Sequence, residues 1–234
     1  MNSYNVLAVI PARGGSKGIR NKNIRDLCGY PLIKYSIDCA KKSMFITDFI
    51  VSTDSINISE ISKSLGAHVP FIRPNELSSD NALSLPVMQH ATKYMETSLD
   101  KIYDAILMLQ PTTPLRLSID VDTAITLMLN GNYDSVISVV DVDGYHPYRM
   151  KKIQNNLLVN FIDQGFEDMR PRQELPKLYI RNGAVYLTKR NILMEQNSFV
   201  GEKCAPLVMD KERSINIDTI ADFKLAEFYL ENQK

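Results

Sequence analysis

Between the first apolar run and the first helix-like stretch the chain reads ARGGSKGIRNKN, residues 12–23. The adjacent Gly14 and Gly15 let backbone N–H groups crowd around an anion, because no Cβ holds a ligand at a distance. Arg13, Lys17 and Lys22 add positive charge that can neutralise a polyphosphate held there. The spacing is not that of a P-loop, and the paired glycines do not alternate as in the dinucleotide fingerprint. Two readings of these residues stay open: a phosphate cradle of another kind, or a solvated basic loop.

Two other stretches offer chemistry. In LQPTTPLR, residues 109–116, a strand-like run meets Gln110 and two prolines. Prolines stiffen a turn, and a stiff turn at the end of a strand can hold Gln110 toward a ligand. In SINID, residues 214–218, a strand would put Asn216 and Asp218 on one face, since side chains alternate. Two oxygens facing the same way suit a hard cation such as Mg²⁺, whose shell is completed by phosphates and water. Alternatively, Asp218 caps the final helix. His68, His90 and His146 are scattered and form no triad spacing, so they read as structural or solvent residues.

The elements that must position these residues alternate in type. NVLAVI, DFIVST, AHVPFIR, YDAILMLQ and YDSVISVV are short and rich in Val and Ile, as buried strands are. Between them, PLIKYSIDCAKKS reads as a helix opened by Pro31, with Leu32, Tyr35, Ile37, Cys39 and Ala40 packed. SINISEISKSLG is a second, stopped by Gly66, and LSIDVDTAITLMLNG a third, capped by Ser118 and stopped by Gly131. Strand then helix, repeated, predicts an α/β fold: a mostly parallel sheet with helices on both faces. Ligands of such sheets sit beyond the carboxyl ends of the strands, where the basic turn falls. Residues 141–182 break the rhythm with prolines and a basic run, and read as an inserted lid or subunit contact. The sheet is expected to resume with AVYL and SINID, and DTIADFKLAEFYLEN closes as a helix packing through Phe223, Ala226 and Leu230.

Composition narrows the classes. A chain of 234 residues, 44% hydrophobic and 23% charged, fits a single soluble domain over 1–234. No apolar run approaches the roughly 18 residues of a membrane span, and MNSYNVLAVIPAR lacks the marks of a signal peptide, so a cytoplasmic location is expected. Cys28, Cys39 and Cys204 lack zinc-site spacing and read as reduced thiols. A formal net charge of zero gives no footprint for duplex nucleic acid, so the local basic cluster points to a small anion.

Taken together and in order, IPARGGSKGIRNKNI, IVSTDS, RPNELSSDNALS, LQPTTPLR, RPRQELP, RNGAVYL and NIDTIADF resemble the acylneuraminate cytidylyltransferases, over nearly the whole chain. The resemblance implies a Rossmann-like fold of the nucleotide-diphospho-sugar transferase type. It also implies an enzyme that transfers CMP from CTP to the anomeric oxygen of a nine-carbon α-keto acid sugar, N-acylneuraminate or legionaminate in type, releasing pyrophosphate. By family analogy Arg13, Gly14, Ser16, Lys17, Lys22 and Asn23 hold the triphosphate, with Lys22 foremost in stabilising phosphoryl charge. Arg73, Ala82 and Ser84 match positions for the cytosine ring. Gln110, Arg149, Arg172 and Asn182 fall where the sugar acid binds, and Asp218 where Mg²⁺ is held. Arg13, Lys22 and Asp218 are thus the implied catalytic set. Asn216 stands where many members carry a second carboxylate, which argues against a second ion. Enzymes activating the eight-carbon acid Kdo are the nearest alternative, but they place an aspartate after the central strand where this chain has LQPTTP. A catalytically weak CTP sensor is the alternative from another class. The family is usually dimeric, with the inserted segment reaching toward the partner.

Overall fold

Val6–Pro11 (β1) is the strand from which the molecule is organised. Its VLAVI run is buried on both faces, as a central parallel strand requires. The computed structural model describes residues 4–15, 18–79, 82–163 and 165–232; Ser16 and Lys17 of the basic turn lie outside them. A two-residue ladder, Asp26–Leu27 (β2) with Tyr30–Pro31 (β3), leads into helix α1, Ile33–Lys42. Then follow β4 (Asp48–Ser52), α2 (Ile56–Ser64), α3 (Ser84–Leu99), β5 (Ala105–Met108), α4 (Ser118–Gly131) and β6 (Ser135–Asp141). A hairpin, β7 (Lys151–Gln154) and β8 (Leu157–Asn160), precedes β9 (Tyr179–Lys189), α5 (Arg190–Met194), β10 (Cys204–Val208) and α6 (Ile220–Glu231).

The main sheet has the order β10-β6-β9-β5-β1-β4. All neighbours run parallel except β9, which is antiparallel to both β5 and β6. One face packs through Ile33, Ile37, Val121 and Ile125 of α1 and α4, and the other through Met88, Ala91 and Met95 of α3. A third cluster joins Ile19, Leu27 and Leu32 to Ile217, Phe223 and Ala226, so α6 is docked against the region that carries the basic turn.

Several expectations are corrected. Residues 67–73 form no strand; they make only isolated bridges, Ile50 with His68 and Thr53 with Ile72, and Pro70 between them has no N–H for a ladder. Residues 214–218 likewise form no strand; Ile217 N donates to Thr112 O at 2.8 Å. Pro31 belongs to β3 instead of opening α1. Ser118 is the first residue of α4, and it is the Asp120 carboxylate that accepts from Leu117 N, at 2.8 Å. Residues 179–182, read with the inserted segment, lie in β9, where Tyr179 pairs with Asp141. Helix α3 and strand β10 are among the elements that escape the periodicity reading. Helix α3 follows a polar loop with Pro86 in its first turn, and β10 is an edge strand broken in appearance by Pro206.

Helix α6 opens on a capping box. Thr219 Oγ1 accepts from Asp222 N at 3.3 Å, and Asp222 accepts from Thr219 N at 2.7 Å. Asp222 also accepts from Asp218 N at 3.1 Å, so the cap orients the residue before it. Partial burial would raise the Asp222 carboxyl, but the donors from Thr219 and Asp218 prevail and hold it below the usual carboxylate range. A depressed folded-state value contributes stability above the ordinary carboxylate pKa and loses it as pH falls through the folded one. Thr219→Ala is therefore expected to cost about 1 kcal/mol at neutral pH. Chemical denaturation at pH 7 and again below about pH 4 should show the difference shrinking in acid.

Candidate active site

The basic turn leaves β1 at its carboxyl end and is tied down on three sides. Asn23, nearly buried, donates Nδ2 to Arg13 O at 2.9 Å, and Gly14 N donates to Asp54 Oδ1 at 2.9 Å. Arg13 reaches across to donate Nη1 to Ser79 O at 3.2 Å. Lys22 Nζ donates to Ile217 O at 2.7 Å and lies 3.1 Å from Asp218 Oδ1. Gly18 is required where the turn meets that segment: a Cβ there would stand 2.4 Å from Asp218 O. Asn23, expected at the triphosphate, therefore also closes the turn that Arg13 begins.

Opposite the turn, Arg73 is 4% exposed. Its Nε donates to Ser78 Oγ at 3.2 Å, and Nη2 lies 3.6 Å from Asp54 Oδ1. Burial lowers the guanidinium pKa, and Asp54 opposes that shift. Ala82 N donates to Ser79 O at 3.0 Å, and Ser84 begins α3. These residues and the basic turn enclose a cleft of about 550 Å³, lined among others by Arg13, Lys22, Asn23, Arg73, Ala82, Ser84, Gln110 and Asp218. Leu77, Ser79, Val87 and Thr112 also line it, and sequence reasoning had not singled them out.

The Gln110 loop is stiffened by more than its prolines. Arg116, 3% exposed, donates to Gln110 O at 3.3 Å, Thr113 Oγ1 at 2.9 Å, Ala184 O at 2.8 Å and Ser36 Oγ at 2.6 Å. One guanidinium thus binds the loop to β9 and α1. The Gln110 side chain then rests against Gly183, where a Cβ would lie 2.8 Å from Gln110 Oε1; Gly183 also holds φ at +84°, which favours glycine. Asn216 Cγ approaches the same point to 3.8 Å.

Other expected residues are placed elsewhere. Asn182 is buried behind the cleft at an irregularity in the β6–β9 register. Its Oδ1 accepts from Ser138 Oγ at 2.5 Å and Ala184 N at 3.1 Å, and its Nδ2 donates to Ser214 Oγ at 2.9 Å. Its amide is thus bonded on both ends at the bulge beside Gly183. Arg149 is exposed on the inserted segment and donates to Arg170 O at 2.7 Å. Arg172 pairs with Asp143, beside a second cavity of about 530 Å³. Asp143 also takes Lys211 Nζ at 2.8 Å, which with Arg172 holds its carboxyl below the usual range. His146 is buried with Nε2 3.2 Å from Pro176 O, and accepts from Tyr148 N on Nδ1.

The cap alternative for Asp218 fails, because Thr219 is the cap. Its side chain is 70% exposed while that of Lys22 is 12% exposed, so the carboxylate is open to the cleft on the side away from the lysine. Among the described residues no group of three or more His, Cys, Asp or Glu could hold a metal ion. One carboxylate at a phosphate-sized cleft suits a hard cation that brings its remaining oxygens with the phosphates. Asn216 is exposed and lies beside the Gly183 corner, while Asp218 lines the cleft. Asp54, which touches both the turn and Arg73, was missed; its signal in sequence is a carboxylate directly after a buried strand.

Residues 7–234 match the family model described as cytidylyltransferase. A Campylobacter coli protein named post-translational flagellin modification protein B is 32% identical over 97% of this chain and 96% of its own length. A Campylobacter jejuni CMP-N,N'-diacetyllegionaminic acid synthase is 34% identical over 96% of this chain and 94% of its own. Among solved structures, a CMP-2-keto-3-deoxy-manno-octonic acid synthetase in complex with CTP covers 98% of this chain and 100% of its own at a TM-score of 0.71; at 15% identity it shares the fold. The match along almost the whole chain, with the basic turn, Arg73, Gln110 and Asp218 gathered at one cleft, establishes that this chain belongs to the cytidylyltransferase family, the CTP-dependent nucleotidyltransferases.

Proposed function

We propose that this chain transfers CMP from CTP to the anomeric oxygen of a nine-carbon α-keto acid sugar and releases pyrophosphate. The observation that carries the reading is the single cleft at the carboxyl ends of β1 and β5, which joins a cationic turn, a buried arginine and a polar loop. The legionaminic acid synthase that resembles it supports a sugar of that class as acceptor.

In this reading the triphosphate lies along residues 13–23, with Arg13 and Lys22 against its charge. Arg73, Ala82 and Ser84 hold the cytosine end. Gln110, fixed by Arg116 and Gly183, orients the acceptor near the α-phosphorus. Asp218 would hold Mg²⁺, which when bound neutralises phosphate charge. The described residues lining the cleft include no histidine, and Asp218 is their one carboxylate. Acceleration therefore comes from alignment and from cations set against developing negative charge, as phosphoryl chemistry allows. Lys22 is well placed for this, since Ile217 O and Asp218 hold its ammonium before any ligand arrives.

Arg149 and Arg172 belong to the inserted segment and serve the acceptor of the partner subunit in a homodimer. The segment's β7–β8 hairpin leaves Ile153, Leu157 and Leu158 exposed, an apolar surface of the kind that marks an interface. Among the described residues no helix is long and apolar enough to cross a membrane, and the three cysteines are free thiols, as in a reducing compartment.

A pyrophosphate-release screen tests the reading: CTP, UTP, GTP or ATP with Mg²⁺, against N-acetylneuraminate, legionaminate, pseudaminate and Kdo. Turnover is expected with CTP and a nine-carbon acid; turnover with Kdo alone, or CTP binding without any release, would reject it. Lys22→Ala is expected to lower kcat by about a hundredfold while changing the KM for CTP far less, because the lost interaction is with charge that develops in the transition state. Steady-state kinetics on the variant separate the two constants. Sedimentation should find a dimer that Leu158→Glu dissociates, with acceptor KM rising in parallel.

A further inference from the structure

The turn bearing Gly14 and the segment bearing Arg73 come from separate parts of the chain, yet one side chain touches both. Asp54 stands just past β4, and its neighbours fix it. Thr53 O accepts from Arg73 N at 2.7 Å, Thr53 Oγ1 accepts from Ser55 N at 3.1 Å, and Ser55 Oγ caps α2 by accepting from Ile58 N at 3.3 Å. Held this way, Asp54 Oδ1 accepts from Gly14 N at 2.9 Å and lies 3.6 Å from Arg73 Nη2. The approach is close: a Cβ on Gly14 would lie 3.1 Å from Ser55 Cβ and 3.7 Å from Asp54 Oδ2.

The two contacts have different requirements. The Gly14 bond needs only an acceptor oxygen, which an amide would supply. The Arg73 contact needs negative charge, because a guanidinium removed from water is left uncompensated without it. We infer that Asp54 is a positioning residue that joins the phosphate-binding end of the nucleotide site to its base-binding end, setting the Gly14 turn and the Arg73 guanidinium with one carboxylate. This rests on the reading of the cleft as the CTP site. With that link, the spacing between the phosphate-binding turn and the base-binding arginine is built into the free protein, which lowers the ordering cost of binding a nucleotide of that length.

The test measures the two halves of the nucleotide separately by calorimetry, using cytidine and Mg²⁺ with inorganic tripolyphosphate. Asp54→Ala is expected to weaken both by about tenfold, the scale of one hydrogen bond to a charged group. Asp54→Asn should weaken cytidine by about tenfold yet leave tripolyphosphate within about twofold, since its amide oxygen still accepts from Gly14. A residue that merely stabilised the fold would shift both probes equally in both variants, and that result overturns the inference. So does parent-like binding of both probes by Asp54→Ala. If the parent itself binds neither probe, the cleft is not the nucleotide site and the inference falls with that reading. Should Asp54→Ala not fold, the split between probes in Asp54→Asn decides alone.

Discussion

The cleft depends on a seam where three loops distant in sequence meet along the backbone of residues 217–218. Ile217 is buried; its N–H donates to the proline-rich loop at Thr112 O, and its carbonyl accepts from Lys22. One residue later, Asp218 O presses on Gly18 so closely that a side chain there would collide. A short extended segment, without a ladder of its own, thus spaces the basic turn from the Gln110 loop. Its position is set from behind by α6, whose capping box fixes Asp218 N and whose Phe223 and Ala226 share an apolar cluster with Ile19 and Leu27.

Buried charge supports the same arrangement. Arg116 fills the space between α1, β9 and the loop after β5, where it donates to Gln110 O, Ala184 O and Ser36 Oγ. Arg73 does the equivalent work beyond β4 with Asp54 and Ser78 as partners. Each guanidinium therefore ties segments distant in sequence through charge-assisted bonds as well as packing. On the reading proposed above, the residues assigned to the nucleotide are brought together at one cleft within one chain. Gln110 lines the same cleft, while Arg149 and Arg172 sit apart on a segment whose hairpin pairs with no strand of the main sheet.

Much of this was legible in the residues. Buried Val and Ile runs marked β1, β4, β5 and β6, Gly66 marked a helix end, and the glycines and basic residues after β1 marked a turn that lines the cleft. Asp218 and Gln110 could be named from motif order. The reading failed where local pattern and tertiary need diverged. Residues 67–73 look like a strand, but Pro70 cannot complete a ladder. SINID alternates like a strand, yet no strand edge is beside it. Helix α3, with Val87, Met88, Ala91 and Met95 at helical spacing, was overlooked behind its polar lead-in.

The sequence by itself determined the class of fold and the run of cationic and polar residues that the strands deliver to the cleft, because periodicity, glycine and charge act over short stretches of chain. Only the tertiary structure decided what each polar side chain is used for. Asn182 resembles a ligand in sequence but is consumed by Ser138 and Ser214 at a bulge. Asp54 looks ordinary but faces two parts of the site at once. Those roles follow from which distant groups lie within hydrogen-bond reach, and that is set by the packing of the sheet and its helices.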